Sequence, residues 1–168
     1  MGVLGVYLLF VGITLVLNGA ARITNINPKA VAVMNAITGL VIVGGSFISF
    51  SHAAEFGNYM DVASGFLFGF TYVLIAVSSF FDLDWRAFGW YSGFVAVWSV
   101  YQIVLNWGNG AWSFVWLWFA WALLFANGFL DSVVGMRSMQ RLFPYLAMFV
   151  GLTAAFIPAM MMLDGRWA

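Results

Sequence analysis

Very few side chains in this sequence of 168 residues could do chemistry, and what is missing narrows the function first. There is no cysteine, so no disulfide, thiolate or redox centre can form. His52 is the only histidine, which leaves almost no material for a Ser-His-Asp triad or a histidine metal site. No HExxH, glycine-rich phosphate loop or basic nucleic-acid patch occurs, so neither an enzyme, a cofactor, a metal nor a nucleic-acid partner is expected. What remains is aromatic and amide. Trp118, Trp121 and Phe125 recur at spacings of three and four, and Phe68 and Tyr72 are four apart, so each set shares one helix face. Asn18, Asn35 and Asn127 offer amides that exchange hydrogen bonds with a polar solute, and Asp131 is the acidic residue placed nearest to them. A flat wall of rings can stack on a planar, uncharged molecule, while hydrated ions find no counter-charge there. Packing or lipid contact would account for a Trp stripe as well, and a buried Asn also serves as glue between helices.

The elements that position these residues follow from composition. The chain is 64% hydrophobic and 7% charged, with a mean hydropathy of +0.99. A soluble domain carries roughly 25% charged residues, so the outside of this molecule faces hydrocarbon. Six stretches free of Lys, Arg, Asp and Glu, about 3–21, 30–51, 62–81, 87–105, 111–130 and 142–163, each reach the roughly 20 residues a spanning helix needs. They do not alternate as barrel strands would, and a helix satisfies its own backbone in lipid. The fold class expected is therefore an all-α membrane protein, six transmembrane helices as three hairpins, with residues 1–168 as a single domain. Asn27 before Pro28, and Asp84 before Trp85, read as helix caps, and Asn109-Gly110 breaks the chain before the fifth helix.

Basic residues set the orientation. Arg22, Lys29, Arg86, Arg137 and Arg141 flank the odd loops, whereas the second and fourth loops have no Lys or Arg. Odd loops are then cytoplasmic and both termini outside, with Arg166 dissenting. The first helix, without a basic leader or cleavage site, is expected to be a retained span. Helices 3 and 5 both run inward, and at about 1.5 Å per residue Phe68 and Trp118 fall near one depth, Tyr72 and Trp121 near another. No ionisable group sits at mid-depth, where ion-coupled carriers place one. Asp131, at the inner end of helix 5, comes closest. Passive movement of a small neutral molecule is the expectation; an ion-coupled transporter and a non-conducting structural subunit are the alternatives.

Several strings are more specific. Val11-Gly12-Ile13 leads to Asn18-Gly19, and Pro28-Lys29 to Ala32-Val33-Met34-Asn35. Leu67-Phe68-Gly69-Phe70-Thr71-Tyr72 follows, then Leu83-Asp84-Trp85-Arg86, Trp90-Tyr91-Ser92, Pro144 and Ile157-Pro158-Ala159. In this order over nearly the whole chain, the sequence resembles the AmiS/UreI family of bacterial urea and short-chain amide channels. The resemblance implies a six-helix protomer that encloses its own pore in the inner membrane, assembled as a homohexamer around a lipid-filled centre. It implies pore constrictions at Val11 and Leu15, at Phe68 and Tyr72, and at Trp118, Trp121, Leu124 and Phe125. Acid-gated members have long, histidine-rich outer loops and a carboxylate in helix 6; here the loops are short, and Val150 stands at that place. Urea or an amide passing without acid gating is the reading this favours.

Overall fold

A chain surrounded by lipid must satisfy its backbone locally, and the computed structural model, which describes residues 2–167 and all their side chains save Ala54 and Phe56, does so with helices. Six of them are long and apolar enough to cross a membrane: α1 (Gly2–Thr24), α2 (Pro28–Phe56), α3 (Tyr59–Phe80), α4 (Trp85–Gly108), α5 (Trp112–Ser132) and α6 (Arg137–Leu163). Each is longer than its apolar window and passes it at one end or both, α6 by five residues at its start. A window ends at the first charge, but a helix continues into the interface, where long charged side chains reach water. Every helical Asp, Glu, Lys and Arg accordingly lies within five residues of a helix end.

The caps form as their residues demand. The Asn27 side chain accepts a hydrogen bond from the Lys29 amide at 2.9 Å, with Pro28 in the first turn. Asp84 accepts from the Arg86 amide at 3.0 Å. Gly57, at φ 64°, ends α2 in the left-handed conformation, donating its N–H to Ala53.

Two compact units make up the chain. One is Asn27–Leu83, the α2–α3 hairpin. Its helices meet through small residues: a side chain at Gly39 would strike Val73, and one at Gly69 would strike Val43. Lys29 and Asp82 close its base with a 3.1 Å ion pair.

The other unit, Met1–Ile26 with Asp84–Ala168, holds α1, α4, α5 and α6. Here α4 and α5 form a hairpin, with Gly89 against Val133 and Gly128 against Ser92. α1 packs antiparallel along α6 through glycines seven residues apart. A Cβ on Gly5 would meet Leu163 at 3.0 Å, one on Gly12 would meet Phe156 at 2.8 Å, and one on Gly19 would strike Pro144 and Met148. Without a hydrophobic driving force between helices in lipid, such close backbone approach supplies the van der Waals gain that holds the pair.

α6 is not uniform. Arg137–Gly151 and Ile157–Leu163 are α-helical, and Leu152–Phe156 between them is a π turn. Pro158 explains it, because it offers no N–H to the carbonyl of Ala154 and its ring crowds that turn. The Ile157 N–H bonds Leu152 in π register and not Thr153. The Thr153 carbonyl thereby loses its α partner, Ile157, and its π partner would be Pro158, which has none. Trp116 of α5 fills the vacancy, its indole Nε1 donating to the Thr153 oxygen at 3.3 Å.

Candidate functional site

The eight residues expected to line a pathway are all buried, none more than 9% exposed. They sit on three helices. Val11 and Leu15 occupy successive turns of α1, and Leu15 presses its Cβ toward Gly151, where a side chain would meet it at 2.9 Å. Phe68 and Tyr72 share the buried face of α3, within the α2–α3 unit. Trp118, Trp121, Leu124 and Phe125 share that of α5. The two indoles touch edge to face, with centroids 5.1 Å apart and planes at 84°. That arrangement suits the ring quadrupoles and fixes one indole against the other. Of the remaining α5 aromatics, Trp112, Trp116 and Phe119 are exposed, and Phe114 and Phe129 are half-buried.

The amides divide. Asn35 is fully buried and donates to the Val31 carbonyl of its own helix at 3.0 Å. Asn127 is buried on α5 and donates to the Met139 carbonyl at 3.1 Å and to the Met139 sulfur at 3.4 Å, tying α5 to the start of α6. Its Oδ1 has no hydrogen-bond partner among the described residues. A buried acceptor left in that condition costs about 1–3 kcal/mol. Asn18 is half-buried on α1, one turn before Arg22. Asp131, four residues after Asn127, pairs with Arg22 at 3.5 Å, and the Arg22 guanidinium lies 4.2 Å from the Phe143 ring centre. Arg22 thus clasps α5 and α6 together, which gives Asp131 a structural partner.

Sequence reasoning missed two features. Ser92, Ser99 and Gln102 are buried at spacings of seven and three on α4, and Thr38 and Ser46 are buried on α2 beside the Asn35 already expected. Their helical periodicity was readable; its meaning was not, since small polar residues serve helix packing as readily as solute contact. The π turn with its Trp116 bond left only Pro158 as a signal.

His52, outside this set, is exposed near the end of α2, its Nδ1 3.9 Å from Glu55 Oε2. Val150 is buried on α6. Among the described residues no cluster of His, Cys, Asp or Glu could hold a metal.

Comparison with known proteins places this geometry. Residues 3–166 match the AmiS/UreI family transporter family. The acid-activated urea channel of Helicobacter pylori (strain ATCC 700392 / 26695) is 29% identical, over 98% of this chain and 99% of its own. A Mycolicibacterium smegmatis protein named for the transport of amidate substrates is 27% identical, over 97% of this chain and 78% of its own. The crystal structure of the urea channel from Helicobacter pylori superposes with a TM-score of 0.87 at 30% identity, covering 98% of this chain and 99% of that one. These relatives are channels and transporters, not enzymes. With six spanning helices and a match along its whole membrane domain, the chain belongs to the AmiS/UreI family of multi-pass membrane transporters.

Proposed function

We propose that the protein is a passive channel conducting urea, short-chain aliphatic amides or both across the bacterial inner membrane, without acid gating. In this reading residues 1–168 act as one six-helix domain that encloses its own pore within a homohexamer. Both termini are outside, as the basic odd loops require. Val11, Leu15, Phe68, Tyr72, Trp118, Trp121, Leu124 and Phe125 line the pathway; Asn18, Asn35, Asn127 and Asp131 supply polar contacts toward its inner half. Urea and amides share a planar carbonyl–NH₂ unit, which stacks on rings and exchanges hydrogen bonds with amides.

One observation supports the reading: the eight apolar and aromatic side chains are buried within the spans, and every helical Asp, Glu, Lys and Arg lies within five residues of a helix end. A proton- or ion-coupled carrier needs a charge partner at depth, and a neutral solute needs none. The named functions of the relatives, urea channel and amidate transport, agree with it.

The test is flux into liposomes that contain only this protein. Urea or acetamide should equilibrate with no ion gradient present. Uptake that disappears when the proton gradient is collapsed would overturn the channel reading in favour of coupled transport. Folded protein that gives no flux at all would make it a structural subunit.

A further inference from the structure

The formal charges of this protein cancel, six basic against six acidic side chains, and most cancel locally. Arg22 pairs with Asp131, Lys29 with Asp82, Arg86 with Asp84 and Arg166 with Asp164. Among the described residues only two basic side chains enter no ion pair: Arg137 and Arg141. They stand four residues apart, so their guanidiniums project from one face of α6. Both are exposed, and no acidic residue lies in the first turn of that helix. Two like charges on adjacent turns repel, and the positive end of the helix dipole opposes them further. Among the described residues no acidic side chain pairs with either to relieve this.

What lies beside them is apolar. Leu142 and Tyr145 are exposed next to the pair, and Phe149 and Leu152 continue the exposed stripe down the helix. From Arg141 to Leu152 the stripe descends about 16 Å at 1.5 Å per residue, close to the length of an acyl chain. Tyr145 stands one turn below Arg141, the level at which a ring with a polar tip sits at the boundary of headgroup and hydrocarbon.

We infer that the Arg137–Arg141 face of α6 is a seat for an acidic phospholipid, whose phosphate bridges the two guanidiniums while one acyl chain lies along Tyr145, Phe149 and Leu152. Charge complementarity selects the headgroup, since guanidinium takes phosphate through paired N–H donors. A zwitterionic lipid offers the phosphate with its own cation attached and competes poorly. The inference is independent of which solute the protein conducts.

Native mass spectrometry of the protein released from micelles doped with equal phosphatidylglycerol and phosphatidylcholine, matched in acyl chains, tests it. At about fivefold per guanidinium, phosphatidylglycerol adducts should prevail by roughly twenty-five-fold. R137Q/R141Q should bring the two lipids to near parity, and Tyr145→Ala should weaken retention of both while leaving the preference. R86Q, in which the guanidinium lost already has Asp84 beside it, should keep the full preference. Three results would overturn the inference: equal adducts on the wild-type protein, an undiminished preference in R137Q/R141Q, or displacement of phosphatidylglycerol by millimolar glycerol phosphate, which would mark a site for free anions. The same spectra count subunits. If R137Q/R141Q changes the number of copies without changing lipid preference, the face belongs to a second copy of the chain, and the lipid seat is wrong.

Discussion

At the scale of single residues the aromatic wall of α5 decides the most. Trp118 and Trp121 brace one another edge to face, and Tyr72 holds the buried face of α3. If a planar solute stacks on these rings, Trp121→Ala or Tyr72→Ala should change selectivity. Either flux is lost as the wall collapses, or molecules larger than acetamide, such as glycerol, begin to leak. Stopped-flow permeabilities of urea, acetamide and glycerol for the two variants decide this. Wild-type rates and ratios in both folded variants would reduce the rings to packing. Not every aromatic could be sorted from sequence. Spacing selected Trp118 and Trp121 correctly as sharing a face, but Trp116 and Phe119 are equally apolar and point outward. In lipid both faces of a helix are hydrophobic, so periodicity finds faces without saying which one is buried. Nor did Asp131 announce its partner, because Arg22 lies more than a hundred residues away in sequence.

Elements were more legible than sites. Apolar length, Asn27-Pro28 and Asp84 located the spans and two helix starts, since hydrocarbon thickness and the helix N-terminus each impose a simple rule. The register change in α6 obeys a rule as well, but its outcome depends on a side chain from another helix. There the Thr153 carbonyl, deprived of both helical partners, takes the Trp116 indole instead. Trp116→Phe keeps the ring contacts with Phe149 and Phe119 and removes only the donor. The expected loss is about 1–3 kcal/mol for an orphaned carbonyl, read by unfolding in mixed micelles. A double-mutant cycle sharpens the result. Pro158→Ala restores an N–H to the turn, so the cost of Trp116→Phe should shrink markedly in that background. An unchanged cost would mean that Trp116 acts through packing alone.

For the molecule as a whole, the charge inventory governs the response to pH. Histidine is the side chain that ordinarily titrates between pH 5 and 8, and His52 is the only one. Its neighbour is Glu55, on its own helix turn, and both are exposed. Hydrogen bonds from the Arg86 guanidinium hold the Asp84 carboxyl at about 2, and those from Arg166 lower Asp164 in the same direction. Both groups bind a proton less readily when folded, so what they contribute to the ends of their helices is complete above the ordinary carboxylate range. It is lost only as pH falls through the lowered values, well below 5. Permeability should therefore vary by less than about twofold between pH 5 and 8, the range in which a histidine gate would act, and His52→Ala should leave it unchanged. A steep rise on acidifying the outer face, abolished in His52→Ala, would show that one histidine suffices for a gate.

The pairing of α1 with α6 also has a consequence for how the protein is made. A ribosome delivers helices in order, and neighbours that pack together can do so as they enter the bilayer. The α2–α3 and α4–α5 hairpins meet that condition. α1 does not, because among the described residues of its unit its backbone packs along α6 and that helix's π turn, and it reaches α5 through the Arg22–Asp131 ion pair. From its own insertion until the sixth helix arrives, α1 waits with the notches at Gly5, Gly12 and Gly19 filled by nothing better than lipid tails. Closing a contact so distant along the chain is intrinsically slow. The seating of α6 on α1 thus has to wait until the four helices between them have been made, and a ribosome stalled before Arg137 would leave α1 open to whatever helix came near.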